Sequence, residues 1–498
     1  MITIHFILND RFIATDEHHG MTALEFVRRE MRLTGTKEGC REGDCGACTM
    51  LLGELQPDNG AMTRSLALYY TSVNSCLLPL GALHGKHVVT VEGLHLHNNP
   101  AKPELTPIQA AMAEEGGTQC GFCTPGFIMS MTGYTLCTDT PTTKGMMQAI
   151  DGNVCRCTGY ASIKRAIERV VGELSDGITT TERLTYLAEK RVIPQYFLTI
   201  PERLQNLVST FVQPNEAQGG VQNGHSHEGA ITVSGGTDLF VQKHETLARA
   251  KVRILPPTPH HEAIREEDGW CVMDATTSVA AFEQSPIIRR ALPRMPDFLR
   301  VFASTPIRNR ATIAGNINNA SPIGDMTALL LALGAELTLR SQSGATRIVA
   351  LQKYYKAYKT LDRAPDELVT AIRFILPISV PNSEAYFFNY EKVSRRTYLD
   401  IASVNTAALF RVSGSIITEA RISAGGVAPV PFFAANTSSF LAGKAVSNET
   451  FREAAEILLS EVSPISDARG SVEYKRLLLG RLFLAHGMTL FPEIEFAI

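Results

Sequence analysis

The chain has 498 residues, of which 44% are hydrophobic and 19% charged, and a mean hydropathy of +0.01. At roughly 150 residues per domain, this length suits three or four globular domains. The 47 basic and 50 acidic residues give a net charge of -3, which provides no general attraction to nucleic acid or to an anionic membrane. The sequence shows neither an apolar run long enough to span a membrane nor a secretion signal, so we expect a cytoplasmic protein with neither nucleic acid nor membrane as a partner.

Residues 1–93 are predicted to form a small β-grasp domain. Residues 2–8 read as a strand, Asn9 and Asp10 predict a turn into a second strand, and Thr22 with Glu25 forms a capping box that opens a helix. Three further strands are predicted near 49–55, 73–78 and 87–91. The last cysteine of this region would return from the sheet to the cysteine-rich loop.

That loop carries three closely spaced cysteines. Cys40, Cys45 and Cys48 follow C-x4-C-x2-C, with Cys76 well downstream, which is the spacing of plant-type 2Fe-2S ferredoxins. The interleaved glycines let the backbone turn its N-H groups toward the sulfurs, and such donors stabilise an anionic cluster. A reducing compartment disfavours disulfides, and structural zinc stays open as an alternative, although it usually takes two CxxC-like hooks.

Residues 98–174 are predicted to form an all-helical domain around a second set of cysteines. Cys120 and Cys123 form C-x2-C, and Cys155 and Cys157 form C-x-C after a gap of 31 residues. Each pair precedes a helix, so two positive helix N-termini would face one cluster. Zinc is again the alternative, but C-x-C is an awkward zinc hook. The four helix starts are predicted at Thr106-Pro107, Thr124-Pro125, Pro141-Thr142 and Thr158-Gly159.

In this order, and with Gly-Phe-Cys-Thr-Pro-Gly and Cys-Arg-Cys-Thr-Gly-Tyr around the second set, the cysteines resemble the iron-sulfur half of the xanthine dehydrogenase family of molybdenum hydroxylases. The resemblance covers about residues 1–172. It implies one 2Fe-2S cluster on each set, with all eight cysteines as ligands: Cys40, Cys45, Cys48, Cys76, Cys120, Cys123, Cys155 and Cys157. Two clusters in one chain imply an electron relay.

A polar linker is predicted at 175–192 and a further domain at 193–378. Residues 230–239 read as an apolar strand, a double glycine and a helix start, and the glycines would let backbone N-H groups approach a pyrophosphate. A plain strand-to-helix turn is the alternative. The stretch 302–325 is rich in small and amide residues, as are loops that wrap a large cofactor. Residues 213–229 read as a flexible surface insertion, and a metal-binding role for His225 and His227 is disfavoured.

These two loops resemble the FAD-binding domain of the same family, which is of the vanillyl-alcohol-oxidase type. The resemblance implies a pyrophosphate loop made of Val233, Ser234, Gly235, Gly236, Thr237, Asp238 and Leu239. It aligns Phe302, Thr312 and Asp325 with flavin-contacting positions, while Ala314 replaces a glycine that is usual in the family. Core packing is the alternative for Phe302 and a helix cap for Asp325.

Residues 384–498 resemble the C-terminal flavoprotein subdomain of the family. Here Lys392 is the flavin-contacting candidate, and a solvated basic run is the alternative. The expected fold is therefore multidomain α+β: a β-grasp 2Fe-2S ferredoxin-like domain, a four-helix 2Fe-2S domain, a vanillyl-alcohol-oxidase-type FAD domain and a C-terminal α+β flavoprotein subdomain.

The resemblance implies an electron-transfer subunit of a xanthine dehydrogenase. Electrons from a large molybdopterin-binding partner subunit, which converts hypoxanthine to xanthine and urate, would pass through two 2Fe-2S clusters to FAD and then to NAD. We find no room in 498 residues for the molybdopterin domain and therefore expect a partner subunit, in a dimer of heterodimers. No catalytic residue is expected beyond the flavin, and no NAD fingerprint is visible.

Three other functions remain open at this point. The same architecture could serve a molybdenum hydroxylase that acts on aldehydes or N-heteroaromatic compounds. The chain could be a stand-alone flavin reductase that uses NADH and an external acceptor. It could also be a zinc-stabilised interaction protein without enzymatic activity.

Overall fold

The computed structural model describes residues 3–57, 66–96, 104–174, 183–212, 229–259, 262–378 and 384–495. The chain divides into two compact units: unit 1 is Met1–Pro257 with Ser304–Ala311, and unit 2 is Thr258–Ala303 with Thr312–Ile498. Both contain helices and sheets, which confirms the predicted α+β class. His225, His227 and nearly all of the predicted insertion lie outside the described residues. Among the helices that are described, none is long and apolar enough to cross a bilayer.

Unit 1 begins with a five-stranded sheet of order β2-β1-β5-β3-β4, in which β1 and β5 are parallel and the other neighbours antiparallel. Asn9 adopts a positive φ of 53° in the β1–β2 turn, as the Asn-Asp pair predicts. Thr22 caps helix α1 (Ala23–Arg29) by accepting from the amide of Glu25. The strands are β1 (Ile4–Leu8), β2 (Arg11–Thr15), β3 (Thr49–Pro57), β4 (Leu66–Asn74) and β5 (His87–Val89).

One strand differs from its prediction. The strand expected at 73–78 ends at Asn74, and Ser75–Leu77 form a 3-10 turn instead. Within this turn the Ser75 hydroxyl donates to the carbonyl oxygen of Cys48 at 2.7 Å. The turn therefore brings Cys76 back beside the cysteine loop, where a continuing strand would carry it past.

Four short helices follow in unit 1: α2 (Pro107–Glu114), α3 (Thr124–Cys137), α4 (Thr143–Ala149) and α5 (Ala161–Glu173). Thr106 and Gln109 form a complete capping box on α2, and Thr142 caps α4. Helix α5 begins later than predicted, because Tyr160 takes a left-handed conformation with φ 69° before it. Helix α3 packs against β3 and β4 and is buried on nearly all sides, so these helices and the sheet share one core.

The remainder of unit 1 is small. Helices α6 (Arg183–Glu189) and α7 (Ile200–Phe211) follow, with α6 inside the segment predicted to be a linker. Strands β6 (Ile231–Val233) and β7 (Val252–Ile254) pair in parallel around α8 (Leu239–Leu247). A four-residue helical turn, Thr305–Arg308, completes the unit.

Unit 2 contains a five-stranded antiparallel sheet of order β11-β10-β14-β9-β8. Its strands are β8 (Ile264–Glu267), β9 (Trp270–Asp274), β10 (Glu336–Arg340), β11 (Thr346–Ala350) and β14 (Leu368–Ile375), and β12 (Tyr355–Ala357) pairs with β13 (Thr360–Leu361) beside it. The helices that accompany it are α9 (Val279–Gln284), α10 (Pro286–Ala291), α11 (Met295–Arg300), α12 (Ile313–Asn319), α13 (Asp325–Ala332) and α14 (Leu351–Tyr354).

A second antiparallel sheet in unit 2 has the order β15-β16-β17-β18. Its elements are β15 (Ala385–Val393), β16 (Val404–Ser413), β17 (Ile416–Gly425), β18 (Phe432–Phe433), α15 (Ala435–Leu441), α16 (Asn448–Glu461) and α17 (Val472–Leu490). Strand β16 is buried along most of its length because α13 and α17 both pack against it. Together β15 and β16 thereby hold the polar residues Asn389, Asn405 and Thr406 in the buried interior.

Candidate functional site

The first cysteine set of unit 1 closes into two sulfur pairs. The Sγ atoms of Cys48 and Cys76 lie 3.4 Å apart, and Cys40 hydrogen-bonds with Cys45. All four are free thiols. The left-handed Gly43 and Gly46 turn the loop around them. A 2Fe-2S cluster takes two protein ligands on each of its two irons, so paired cysteines suit it.

The second set, also in unit 1, is paired in the same way. The Sγ atoms of Cys120 and Cys157 lie 3.4 Å apart, and Cys123 hydrogen-bonds with Cys155. Cys123 is the N-terminal cap residue of α3, so one helix N-terminus meets this set as predicted. Thr158 does not open α5 as predicted, because its hydroxyl lies 3.1 Å from Cys155 Sγ. Cys120 and Cys157 are exposed, whereas Cys155 is buried.

The two cysteines of each pair differ in pKa. The hydrogen bond from the Cys45 thiol has the largest effect on Cys40 and lowers its pKa. Burial opposes this effect, but the amides of Glu42 and Asp44 also donate to the sulfur, and the pKa of Cys40 falls to about 5. Donating that bond raises the pKa of Cys45. Likewise the thiol of Cys76 lowers the pKa of Cys48, and its own pKa is raised.

In the second set, too, one cysteine of each pair has a lowered pKa and the other a raised pKa. The amide of Phe122 and then the thiol of Cys157 lower the pKa of Cys120, while the pKa of Cys157 is raised. Burial raises the pKa of Cys123 to about 12. Burial also opposes ionisation of Cys155, but hydrogen bonds from Thr158, Cys157 and Cys123 together lower its pKa. Two thiolates so close together repel, so both members of a pair ionise only when metal cations lie beside them. This donor chemistry fits iron-sulfur clusters.

The two cysteine sets are joined by a backbone hydrogen bond. The N-H of Val154 donates to the carbonyl oxygen of Cys45 at 3.0 Å. The side chain of Asn153 holds this contact from beneath, since its Nδ2 donates to the Gly46 carbonyl at 3.1 Å and its Oδ1 accepts from Ser130 at 2.7 Å. The cysteine-bearing loops of both sets are thus in direct contact.

The predicted pyrophosphate loop lies in unit 1, between β6 and α8. Val233 is fully buried, Gly236 has a positive φ of 82°, and a methyl group built on Gly235 would lie 2.1 Å from the carbonyl oxygen of Arg310. The Ser234 hydroxyl is buried and has no hydrogen-bond partner among the described residues. An unused hydroxyl beside two glycines fits a phosphate oxygen. Thr237, Asp238 and Leu239 carry the loop into α8.

The other predicted flavin residues lie in unit 2. Lys392 Nζ and Asp325 Oδ2 form a buried ion pair at 2.8 Å, with side chains 2% and 10% exposed. Lys392 also donates to the carbonyl oxygen of Val301 at 2.8 Å, which is next to the buried Phe302. Lys392 is therefore part of a buried network, and a solvated basic run does not describe it.

Thr312 and Ala314 have local roles in α12. Thr312 caps this helix by accepting from the Gly315 amide at 3.2 Å. Ala314 sits within the helix, whereas a methyl group on Gly315 would lie 2.8 Å from Thr312 Oγ1. The substitution of alanine for the usual glycine at 314 therefore leaves the crowded position, Gly315, unchanged.

Two residues of this site were missed by sequence reasoning. Tyr390 donates to Asp325 Oδ1 at 2.6 Å, and Asn405 Nδ2 donates to the same oxygen at 2.5 Å. Asp325 is the first residue of α13, after the cap Gly324, and its carboxylate accepts from these side chains instead of capping the helix. The only signal in the sequence was that Tyr390 lies two residues before Lys392 on one strand face. The Asn405 Oδ1 atom is buried without a partner among the described residues.

Comparison with protein families assigns these parts. Residues 6–80 match the model of a 2Fe-2S iron-sulfur cluster binding domain, and residues 90–168 match a second 2Fe-2S binding domain. Residues 205–377 match the FAD binding domain in molybdopterin dehydrogenase, and residues 389–486 match the CO dehydrogenase flavoprotein C-terminal domain.

The chain is also similar to curated proteins and to a solved structure. The chain is 28% identical to a xanthine dehydrogenase/oxidase of Gallus gallus over 99% of this chain and 40% of the relative. It is 29% identical to a xanthine dehydrogenase of Emericella nidulans over 89% and 35%, respectively. A crystal structure of a Cu,Mo-CO dehydrogenase matches at 30% identity and a TM-score of 0.47, covering 51% of this chain and 87% of that chain.

The chain belongs to the molybdenum hydroxylase family. Within that family it carries both iron-sulfur domains and the FAD-binding and flavoprotein C-terminal domains, in the order that the sequence predicts. It spans two fifths or less of the length of the two curated relatives.

Proposed function

We propose that this molybdenum hydroxylase chain is the electron-transfer part of a xanthine dehydrogenase. It would carry electrons from a molybdopterin-binding partner subunit, which oxidises hypoxanthine to xanthine and urate, to NAD by way of two 2Fe-2S clusters and FAD. When bound, the clusters exchange single electrons and the flavin delivers an electron pair as hydride. The names of the curated relatives support the purine substrate.

One observation carries the relay: the hydrogen bond from the Val154 amide to the Cys45 carbonyl. Val154 precedes Cys155 in the chain, so the hydrogen bond and a few covalent bonds connect a ligand of one set with a ligand of the other. Side-chain packing or water at this place would separate the two sets by a wider gap. Asn153 keeps the two backbones at this distance.

The first set is also close to the flavin loop within unit 1. Cys48, Cys76, Val233 and Phe240 belong to one buried apolar cluster. A methyl group on Gly236 would lie 3.1 Å from the carbonyl oxygen of Leu77, the residue after Cys76. The first set thus lies between the second set and the flavin loop. This placement supports an electron path that runs from the second set to the first set and then to the flavin loop.

The second set supplies the face for the partner subunit. Cys120 and Cys157 are exposed, and so are the apolar side chains of Phe122 and Val154 beside them. Exposed apolar residues around an exposed redox site suit a docking surface for another protein. The partner's electrons would enter here.

The chain's own residues bind and orient the flavin. The Ser234 hydroxyl and the backbone of Gly235 and Gly236 would hold the pyrophosphate. Within unit 2, Tyr390 and Asn405 hold the carboxylate of Asp325, and this carboxylate fixes the ammonium of Lys392, the flavin-contacting candidate on that unit.

Turnover of the assembled complex tests the proposal. The complex, purified with its partner subunit, is mixed with NAD and in turn with xanthine, an aldehyde and an N-heteroaromatic compound, and NADH formation is followed at each. Xanthine should give NADH and urate in equal amounts. NADH from one of the other substrates, without urate from xanthine, would assign the chain to another hydroxylase of the family.

A further inference from the structure

One segment of unit 1 contacts all three cofactor loops of that unit. This segment, Ser304–Ala311, is called the strap below. It lies between Phe302 and Thr312 in the chain, but it packs in unit 1 while both of these residues belong to unit 2. Its sequence gives no sign of a role beyond a loop in the FAD-binding domain.

The strap packs against the loop of the first cysteine set. A methyl group on Gly43, between Cys40 and Cys45, would lie 2.7 Å from Cδ1 of Ile307. Asn309 Nδ2 donates to the carbonyl oxygen of Ser72 at 2.9 Å, in the strand that leads to Cys76.

The strap is also anchored to the loop that leads into the second set. Arg308 Nη2 forms an ion pair with Asp151 Oδ2 at 2.8 Å, and the side chains are 8% and 3% exposed. The amide of Thr305 donates to the other oxygen of Asp151 at 2.7 Å. A methyl group on Gly152 would lie 2.9 Å from Cβ of Ser304. Asp151 is four residues before Cys155.

The end of the strap supports the flavin loop. The carbonyl oxygen of Arg310 lies against Gly235, where even a methyl group would come within 2.1 Å. Arg310 is two residues after Arg308, so the Arg308–Asp151 ion pair and this carbonyl share one short piece of chain. Movement of the strap would move the support of Gly235.

We propose that Arg308 is a positioning residue for the redox relay. Its ion pair with Asp151 holds the strap against both cysteine loops and thereby sets the place of Gly235 relative to the first cluster. The inference rests on the proposed function, since it takes the double-glycine loop as the pyrophosphate site.

The contact geometry suggests how to separate positioning from general stability. Arg308 Nη2 makes both the ion pair with Asp151 and a 2.9 Å hydrogen bond to the Thr305 hydroxyl. A lysine ammonium can make the same two contacts, whereas glutamine keeps hydrogen bonding and loses the charge. Arg308→Lys is thus a conservative rescue for Arg308→Gln.

The experiment compares full-length holoprotein of wild type, Arg308→Gln and Arg308→Lys. The double variant Asp151→Asn with Arg308→Gln is added because it leaves no uncompensated buried charge, should the single variant fail to fold. Arg165→Gln is the matched control, since its ion pair with Glu115 is on the exposed surface of the helical domain. Iron content, the FAD dissociation constant of flavin-depleted protein and the rate of electron exchange between clusters and flavin after photoreduction are measured.

Arg308→Gln, or the double variant, should retain the iron of both clusters. Its FAD dissociation constant should rise, and its cluster-to-flavin rate should fall, by about tenfold to a hundredfold. Arg308→Lys should stay close to wild type, as should Arg165→Gln. Wild-type FAD affinity and exchange rate in Arg308→Gln or in the double variant, with iron and FAD present, would overturn the inference alone. Wild-type protein without iron or FAD would overturn the proposed function instead.

Discussion

The amide of Val154 donates a 3.0 Å hydrogen bond to the carbonyl oxygen of Cys45. Because Val154 adjoins Cys155 of the second cysteine set and Cys45 belongs to the first, this single bond joins two cysteine sets that are far apart in sequence. Gly46, which has no side chain, leaves room for this hydrogen bond. Asn153 holds the two backbones together by donating to the Gly46 carbonyl. The connection between the two sets is therefore part of the folded backbone.

Loss of one cysteine should interrupt the relay at a defined point. In Cys155→Ser the second cluster should be absent, because its pair with Cys123 is broken. Electron transfer from the molybdenum partner should be abolished, while NADH oxidation at the flavin continues. Electron paramagnetic resonance of the reduced protein counts the clusters, and urate formation measures the relay.

Cys137→Ser is the matched control for that variant. The Cys137 Sγ donates to the Tyr70 carbonyl and belongs to neither set, and a serine hydroxyl can make the same bond. It should keep both clusters and full activity. Unchanged urate production by assembled Cys155→Ser would contradict the relay.

The close approach of the two loops should make Gly46 intolerant of any side chain. Both Gly46 and Gly116 have positive φ, but a methyl group on Gly46 would lie 2.3 Å from the Gly152 carbonyl oxygen, whereas one on Gly116 has nothing within 4 Å. Gly116→Ala should cost about 1–2 kcal/mol for its backbone conformation. Gly46→Ala should cost about 1–3 kcal/mol more because a backbone must move. Denaturant unfolding compares the two, and equal losses would show that the contact is loose.

The Asp325–Lys392 ion pair should be needed for flavin binding. Asp325→Ala leaves a buried ammonium without its partner, which typically costs about 3–5 kcal/mol, and we expect the purified variant to have lost most of its FAD. The control is Glu336→Ala, which removes a half-exposed ion pair with Arg373 and should cost about 1 kcal/mol or less. The absorbance ratio of flavin to protein is the measurement. Equimolar FAD in Asp325→Ala would remove this residue from the flavin site.

Acid should destabilise the protein through His486 in unit 2. This side chain is fully buried between Asn389 and Thr406, and burial lowers its pKa from 6.5 to about 3. The unfolded chain therefore binds one more proton between these values. The contribution of His486 to stability is fully present above pH 6.5 and is lost by about 1.4 kcal/mol per pH unit between pH 6.5 and about 3.

His486→Gln separates this effect from other titrating groups. The Arg294 guanidinium donates to Asn389 Oδ1, which leaves Asn389 Nδ2 to donate to His486 Nδ1 and the ring Nε2 to donate to Thr406. Glutamine can accept and donate in the same places without titrating. Melting temperatures from pH 7.5 to 5 should fall less steeply in the variant, and parallel curves would show that His486 does not titrate on unfolding.

Local structure was largely predictable from the sequence. The turn at Asn9 and the helix caps at Thr22, Thr106 and Thr142 follow from side-chain chemistry within a few residues, and the structure confirms them. The late start of α5 was not predictable, because Thr158 hydrogen-bonds with Cys155 in preference to capping. Whether the Thr158 hydroxyl caps the helix or contacts Cys155 can be decided only when the folded loop is known.

Contacts between residues far apart in the chain could not be predicted from the sequence. The Arg308–Asp151 ion pair joins residues 157 positions apart, and nothing in either neighbourhood distinguishes these charges from solvated ones. Tyr390 and Asn405 reach Asp325 only because β15 and β16 pair beside α13. The spacing of the eight cysteines predicts ligand sets, but their division into pairs depends on the turn at Ser75–Leu77 and on the fold of the helical domain.

Metal and flavin analysis of the anaerobically purified native complex tests the central claim most directly. Iron and acid-labile sulfide should be present in the amounts of two 2Fe-2S clusters per chain, together with equimolar FAD and a large molybdenum-bearing partner. Zinc in the cysteine sites without flavin would contradict the relay and leave a zinc-stabilised interaction protein.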